Sequence, residues 1–546
     1  MSLVVFGAVA LASCSNDGGV ATERADRIQS VAEDATTDPT AEETDPPASQ
    51  PAETDPPETV PPTSGPRPTL PPGTVPPQTD PDDTDPEDTE PEETDPEDTE
   101  PEVVESPDGV GDPLFPELGN PGIDVEHYDI RVRYDPADDE ITGAVTLTLV
   151  PTEAREQFTL DSSGPEVSSV TVDGDEAEFE QEDVELRITP ATPLEPDKAV
   201  DVVVAYTATP DGGTSIANLP SGWFHTDEGS YVLNEPDGAR TWLPSNDHPS
   251  DKATYTFRIT VPTGLTAVAN GALISTTPGP EGDEWVWEES VPMPTYLIQL
   301  LTGDYEVVTG EGPDGLPLVS VVLREDREAM QPFLDSIDDQ IDFFDDFFGP
   351  YPLAQYGIAM TDSTGGLAME TMSRSLFSRE DFLRDDTFIE ELLLSHELAH
   401  MWFGDAVSPA EWQDIWLNES FATYGEWMWM EHIDLVPLEA QADDALQTKL
   451  LFGESATATP GVGELFGYNV YDGGAVVLHA LRLTIGDEAF FSLLSRWVAD
   501  NLGESRFTED FVQLASEVAG TDLTDFFDEW LFAEVVPEQF PEPAAG

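Results

Sequence analysis

The run Leu394-Ser395-His396-Glu397-Leu398-Ala399-His400 sets two histidines four residues apart with a glutamate directly after the first. With eighteen residues between it and His400, Glu419 in the segment Trp416-Leu417-Asn418-Glu419 brings in a further acid. On a helix, residues four apart lie one turn above each other, so His396 and His400 can offer two imidazole nitrogens to one metal, with Glu397 beside them facing a water. Glu419 supplies a third ligand. Three protein ligands leave the fourth position of a tetrahedral zinc open to water, the arrangement of a hydrolytic rather than a structural site. On the metal that water has a pKa of roughly 7, low enough to supply a nucleophile at neutral pH. With 7 His in 546 residues, a chance His-Glu-x-x-His is expected at roughly 0.01 per chain. The plain alternative, two buried helix histidines satisfied by neighbours, has no use for Glu419. The expectation is one Zn2+ per chain and a metallopeptidase.

Elements must hold these residues in place. Thr387-Phe388-Ile389-Glu390 fits a capping box, the apolar residues Phe388, Leu392, Leu394, Leu398 and Trp402 form a broad stripe, and Gly404 is a natural stop. Ser408-Pro409 then breaks the chain before a second helix carries Glu419 back. Upstream, from about residue 121, the period is two: Tyr128, Ile130, Val132 and Tyr134 alternate with polar residues, as do Val145, Leu147 and Leu149, and Tyr255, Phe257, Ile259 and Val261. These are half-buried strands of a sandwich-like, β-rich N-terminal domain spanning 113–309. Helical spacing takes over with Met330, Phe333, Ile337, Ile341, Phe344 and Phe348, ending at Gly349, and Thr508 is expected to cap a helix that stops at Gly520. The fold class is multidomain α+β, with a mostly helical catalytic domain at 310–546. Trp427 to Met430, His432 and His479 are assigned to the core.

Charge narrows the partners. The net charge is −93, and residues 111 to 546 alone carry 85 acidic against 17 basic side chains. Such a field repels phosphate backbones and anionic membrane surfaces, so no nucleic-acid partner is expected; a salt-adapted or acidic extracellular protein is. No pattern specifies an oligomeric state. Residues 1–14 form a targeting segment, apolar from Leu3 to Leu11, and Leu11-Ala12-Ser13-Cys14 resembles a bacterial lipobox whose cysteine is lipidated. Cys14 is the only cysteine, which excludes an internal disulfide. The alternatives are cleavage after Ala-x-Ala, releasing a secreted protein, or a cysteine without a role. No Lys or Arg precedes Arg24, so the basic start of a signal is missing and the position of the true start is left open. Residues 15–112 are a Pro/Thr/Asp/Glu-rich disordered linker, whose Thr84 to Pro91 motif recurs as Thr94 to Pro101. The expected location is outside the cytoplasm, anchored by lipid to the bacterial cell membrane.

Taken in order, the motifs resemble those of the aminopeptidase N family of gluzincin zinc metallopeptidases over about residues 121 to 535. The resemblance rests on the zinc signature His396 to His400 with Trp416-Leu417-Asn418-Glu419-Ser420-Phe421-Ala422, on Phe347-Phe348-Gly349-Pro350-Tyr351-Pro352, and on Tyr471-Asp472-Gly473-Gly474-Ala475-Val476-Val477-Leu478. It implies a thermolysin-like catalytic domain in a short form without the family's helical C-terminal domain. It also implies that Tyr471 hydrogen-bonds the tetrahedral intermediate. Gly365-Gly366-Leu367-Ala368-Met369-Glu370-Thr371 is similar to the family's Gly-Ala-Met-Glu-Asn segment, with Leu367 at the motif glycine and Thr371 at the asparagine. By that resemblance Glu370 grips the free amine of a peptide, with Gly365 and Gly366 in the substrate-binding turn. Glu235, in Asn234-Glu235-Pro236-Asp237, is the candidate second amine contact; its alternative is a turn carboxylate, as a core tyrosine is for Tyr471, with Tyr468 and Tyr424 as substitutes. The expected activity is a zinc aminopeptidase acting on peptides, with Glu397 as general base. A zinc endopeptidase with an open cleft, and a non-catalytic lipid-anchored binding protein on the same fold, are the alternatives.

Overall fold

The computed structural model describes residues 109–544 apart from 138, 227, 385 and 454. Cys14, the targeting segment and the linker up to residue 108 lie outside the described residues. The alternating segments form the expected strands. Ile123–Asp135 pairs antiparallel with Glu140–Pro151, Ile130 facing Val145, and parallel with Ala253–Val261, Val132 facing Ile259. These three lie inside an eight-stranded sheet that also includes Val200–Ala208 and Gly282–Met293. Because side chains alternate across a strand, Tyr128, Ile130, Val132 and Tyr134 all point to one face, and all are buried. A five-stranded sheet containing Gly229–Leu233 and Leu300–Gly303 packs nearby. Trp287 ties the two sheets, its indole N–H donating to the Ala267 carbonyl at 3.0 Å. Tyr134, Trp223 and Trp242 fill the space between with ring centroids 5.2 and 5.5 Å apart.

The second half starts on a four-stranded sheet of Tyr305–Glu311, Pro317–Leu323, Ile358–Thr361 and Ser375–Ser378. Its first strand runs through residue 309. The Gln331–Phe348 helix connects the second strand to the third and ends at Gly349, whose φ of 93° is a conformation other residues avoid. Helices then dominate to Trp530. The Trp416–His432 helix is buried from Trp416 through Met430, as its apolar residues on every face require. The halves interlock. Lys252 donates to the Asp405 carbonyl at 3.0 Å, Asp112 accepts the Trp412 N–H at 2.7 Å, and Asn418 donates to the Tyr296 hydroxyl at 3.1 Å. Among the described residues no helix is long and apolar enough to cross a membrane.

Three local expectations change. Thr387 is the first residue of its helix rather than a capping residue; Asp386 precedes it, without a side-chain cap. Thr508 likewise opens its helix, and its hydroxyl donates to Asp414 at 2.6 Å while accepting the Trp416 indole at 2.7 Å. The hydroxyl that a cap would use thus ties this helix to the start of the one bearing Glu419. His432 is exposed at a helix end, its ring against Phe343 and Trp429, whereas His479 is buried.

Candidate active site

The Thr387–Ala399 helix and the Trp416–His432 helix pack side by side and present His396, His400 and Glu419 to one point, all buried. Glu419 Oε2 lies 3.4 Å from His396 Nε2 and 3.5 Å from His400 Nε2. These separations exceed ordinary hydrogen bonds but match two donors on a tetrahedral zinc, which stand roughly 3.3–3.5 Å apart. The outer nitrogens agree. His400 Nδ1 donates to the Phe403 carbonyl at 3.0 Å, which leaves Nε2 as the lone-pair nitrogen, and His396 Nδ1 lies 3.5 Å from Glu426. Glu426 is two helical turns beyond Glu419, so one helix face provides both a ligand and the carboxylate behind another ligand. That seven-residue spacing was the available signal for Glu426, which the motif reading missed. The donor set fits zinc.

Glu397 sits in the same pocket, with ligand atoms of Glu370, Glu397 and His400 within 4.8 Å of one another. Burial pushes its carboxyl up to about 8, partly offset by His396 and His400. Burial also raises Glu419, but the two histidines outweigh it and hold that carboxyl down at about 2.

Glu370 reaches the pocket from a sheet edge. Gly365 and Gly366 turn the chain with φ of 76° and 92°, in the left-handed region. Met369 then pairs antiparallel with Leu376 at 2.9 and 2.7 Å, delivering Glu370 beside the zinc donors. Thr371, at the motif's asparagine, points away: its hydroxyl donates to the Arg374 carbonyl at 2.6 Å and accepts from Gln299 at 2.8 Å, closing the next turn. From the N-terminal half, Asn234 is pinned by the Ile298 carbonyl and the Trp242 indole, each at 3.0 Å. The next residue, Glu235, enters the pocket, where oxygens of Glu235, Glu370 and Glu419 all lie within 4.8 Å of one another. One oxygen each of Glu235 and Glu370 is buried with no hydrogen-bond partner among the described residues. Burial, then Glu370 and Glu419, push Glu235 well above the usual carboxylate range. Two such groups call for a cation.

Of the three candidate tyrosines, Tyr471 alone faces the site. Its ring lies parallel to His396 at 6.0 Å, whereas the Tyr468 hydroxyl donates to the Ala445 carbonyl at 2.8 Å and Tyr424 contacts His479 and Arg482. Tyr471 precedes the Asp472–Ile485 helix. That helix approaches closely because residue 474 is glycine; a Cβ there would stand 1.7 Å from the Ser420 hydroxyl. Ser420, next to Glu419, donates instead to the Val470 carbonyl at 2.6 Å, which registers the tyrosine against the metal ligand. Asp405 was not anticipated. It is fully buried, neither carboxylate oxygen has a hydrogen-bond partner among the described residues, and no motif spacing marks it.

Comparison with known proteins places this geometry. The Peptidase M1 N-terminal domain model matches residues 124–297, and the Peptidase family M1 domain model matches residues 333–530. Aminopeptidase N of Haemonchus contortus is 29% identical over 356 residues, covering 59% of this chain and 35% of that protein. Leucyl aminopeptidase of Saccharolobus solfataricus is 24% identical over 437 residues, covering 75% and 53%. The chain thus spans a third to a half of the length of such relatives. Among solved structures, an M1 zinc metallopeptidase of Deinococcus radiodurans bound to a Tyr-Ser-Ala substrate superposes with a TM-score of 0.71 at 30% identity, over 80% of this chain and 100% of that one. A two-domain M1 zinc metallopeptidase bound to L-arginine does so with a TM-score of 0.71 at 31% identity and the same coverage. The candidate zinc donors, Glu397 and Tyr471 lie on the architecture this chain shares with these structures, and the chain belongs to peptidase family M1.

Proposed function

We propose that this protein is a zinc-dependent aminopeptidase that removes the N-terminal residue from peptides. The observation that carries the reading is the pair Glu235 and Glu370, buried beside the zinc donors with oxygens left unpartnered. A peptide's free α-amine, with a pKa of about 7.7–8.0, is largely an ammonium near neutral pH and supplies the missing charge. His396, His400 and Glu419 would hold the zinc, which when bound would supply Lewis acidity and lower the pKa of the attacking water. Glu397 takes the proton of that water on its carboxylate and returns it to the leaving amine. Tyr471 donates its hydroxyl hydrogen to the oxyanion. With the amine gripped by Glu370 and Glu235, only the first peptide bond reaches these groups. The aminopeptidase names of the curated relatives, and the amino acid and tripeptide bound by the structural neighbours, support the same reading.

The test is a pair of peptides differing only in N-acetylation, assayed with and without a chelator. Free peptides should be cut to single amino acids, and chelation should abolish the activity. Equal cleavage of the acetylated peptide, or internal fragments released first, would instead establish an endopeptidase; no cleavage would leave a binding protein. The same proposal includes a lipid on Cys14, with the acidic segment after it as a spacer. Mass spectrometry of the N-terminal peptide from membranes should find the thioether-linked lipid, and an unmodified Cys14 in membrane-extracted protein would remove the anchor.

A further inference from the structure

A buried lysine stands behind the tyrosine turn. Lys449, on the Leu438–Phe452 helix, is 2% exposed, and its ammonium donates to Thr457 Oγ1 at 3.1 Å and Asn469 Oδ1 at 3.0 Å. Both acceptors are neutral. Burying a cation on neutral acceptors costs stability that a methionine of similar length would not cost, and burial pushes this ammonium down to about 8. The position of its partners supplies the reason for a lysine.

Asn469 lies two residues before Tyr471, and its amide nitrogen donates to Ser455 at 2.8 Å. A Cβ at Gly473, two residues after Tyr471, would meet Lys449 Nζ at 2.9 Å and the Tyr468 carbonyl at 3.3 Å. The ammonium therefore holds the Asn469 side chain ahead of the tyrosine and lies against the Gly473 backbone after it. Ser420 in turn holds the Val470 carbonyl. The turn is clamped between the helix that carries Glu419 and the helix that carries Lys449. Tyr471 itself has φ −82° and ψ −93°, neither helical nor extended.

We propose that Lys449 is a positioning residue for Tyr471, its ammonium holding residues 467–472 in the conformation that aims the tyrosine hydroxyl at the reacting carbonyl. This rests on the role given to Tyr471 above. The experiment is a four-way comparison of the full chain, Lys449→Met, Tyr471→Phe and the double variant, with kcat, KM, zinc content and melting temperature measured for each. Tyr471→Phe should lower kcat by roughly 10²-fold. Lys449→Met should lower kcat about 10-fold with KM and zinc little changed, because a small misplacement of a catalytic group is costly. In the Tyr471→Phe background, Lys449→Met should cost nothing more. A Lys449→Met loss of the same size in both backgrounds, or no loss, overturns the inference and leaves Tyr471 in its role. An unchanged kcat in Tyr471→Phe alone overturns both. If Lys449→Met does not fold, Asn469→Ala, which removes the turn's side-chain contacts to Lys449 and Ser455, replaces it with the same expectation.

Discussion

Two groups of buried carboxylates in this chain are treated in opposite ways. In the N-terminal half, Asp161 accepts from the backbone N–H groups of Gly119 at 3.3 Å and Asp247 at 2.8 Å. Asp247 accepts from the Arg240 N–H at 2.9 Å and the Thr295 hydroxyl at 2.6 Å. Every oxygen of this pair has its donor. In the cleft, Glu370 and Glu235 are buried with an oxygen apiece left over. Burial raises all four carboxyls: Asp161 to about 6, Asp247 to about 7, the two glutamates in the same direction. The shift alone therefore does not separate structure from site. Hydrogen-bond satisfaction does, because a charge compensated from within the chain holds the fold, and one left open is compensated by what binds.

The strongest way to break this contrast is to neutralise the cleft carboxylate proposed to move the proton. Glu397→Gln should keep its zinc, since none of the three donors is touched, and lose turnover by about 10²–10⁴-fold, because an amide cannot carry the proton. Near-wild-type turnover in a zinc-loaded Glu397→Gln protein would refute the mechanism. Next is Glu370→Ala, for which kcat/KM on free peptides should fall by about 10²-fold as a charge-assisted contact is lost. Activity on N-acetylated peptides should not change, so the preference between them narrows. Its melting temperature should match or exceed that of the parent, since an uncompensated buried charge is gone. A large drop in stability would place Glu370 with the structural carboxylates. The reverse is expected of Asp161→Ala. Two buried N–H groups lose their acceptor, a cost of about 1–3 kcal/mol, read by denaturant titration, while kcat/KM of the folded protein stays put. A selective loss of activity there would erase the distinction.

Legibility in the sequence divides along similar lines. The strands announced themselves because a sheet with one buried face writes a period of two, and the zinc donors because one metal needs side chains at fixed helical offsets. Both are local constraints. Glu370 and Tyr471 carry no period of their own and were reached through resemblance, since a turn after a sheet edge and a residue ahead of a helix leave no repeating trace. Asp405 and Lys449 carry no such signal. Lys449 meets Asn469 twenty residues away by hydrogen bond, and nothing in the sequence around either marks the contact. The capping expectations at Thr387 and Thr508 had the correct residue type for a helix start but one position off, which is the usual play at helix ends. At Thr508 a tertiary partner, Asp414, took the hydroxyl that a cap would have used.

Asp251 falls between the two classes and gives the finest test. One of its oxygens accepts from Val125 N–H at 3.1 Å and Asn246 at 2.5 Å, whereas the other is buried with no hydrogen-bond partner among the described residues. Burial pushes its carboxyl up to about 8, against an ordinary value of 3.8. A carboxyl raised by folding keeps a proton that the unfolded chain releases. Its contribution to stability is complete below the unfolded pKa and is lost as pH rises through the folded one. With Asp161, Asp247 and Asp251 at about 6, 7 and 8, stability should decline stepwise from weakly acid pH to about pH 8. Ordinary surface carboxylates are already ionised above about pH 6, so their self-repulsion changes little over that window. Asp251→Asn removes the last step while its amide oxygen still accepts from Val125. The difference in melting temperature between Asp251→Asn and the parent should therefore shift in the variant's favour between about pH 6 and pH 8.5, a comparison in which the pH dependence of the zinc ligands cancels. A difference independent of pH would mean that Asp251 is already ionised throughout, its charge carried by two hydrogen bonds alone.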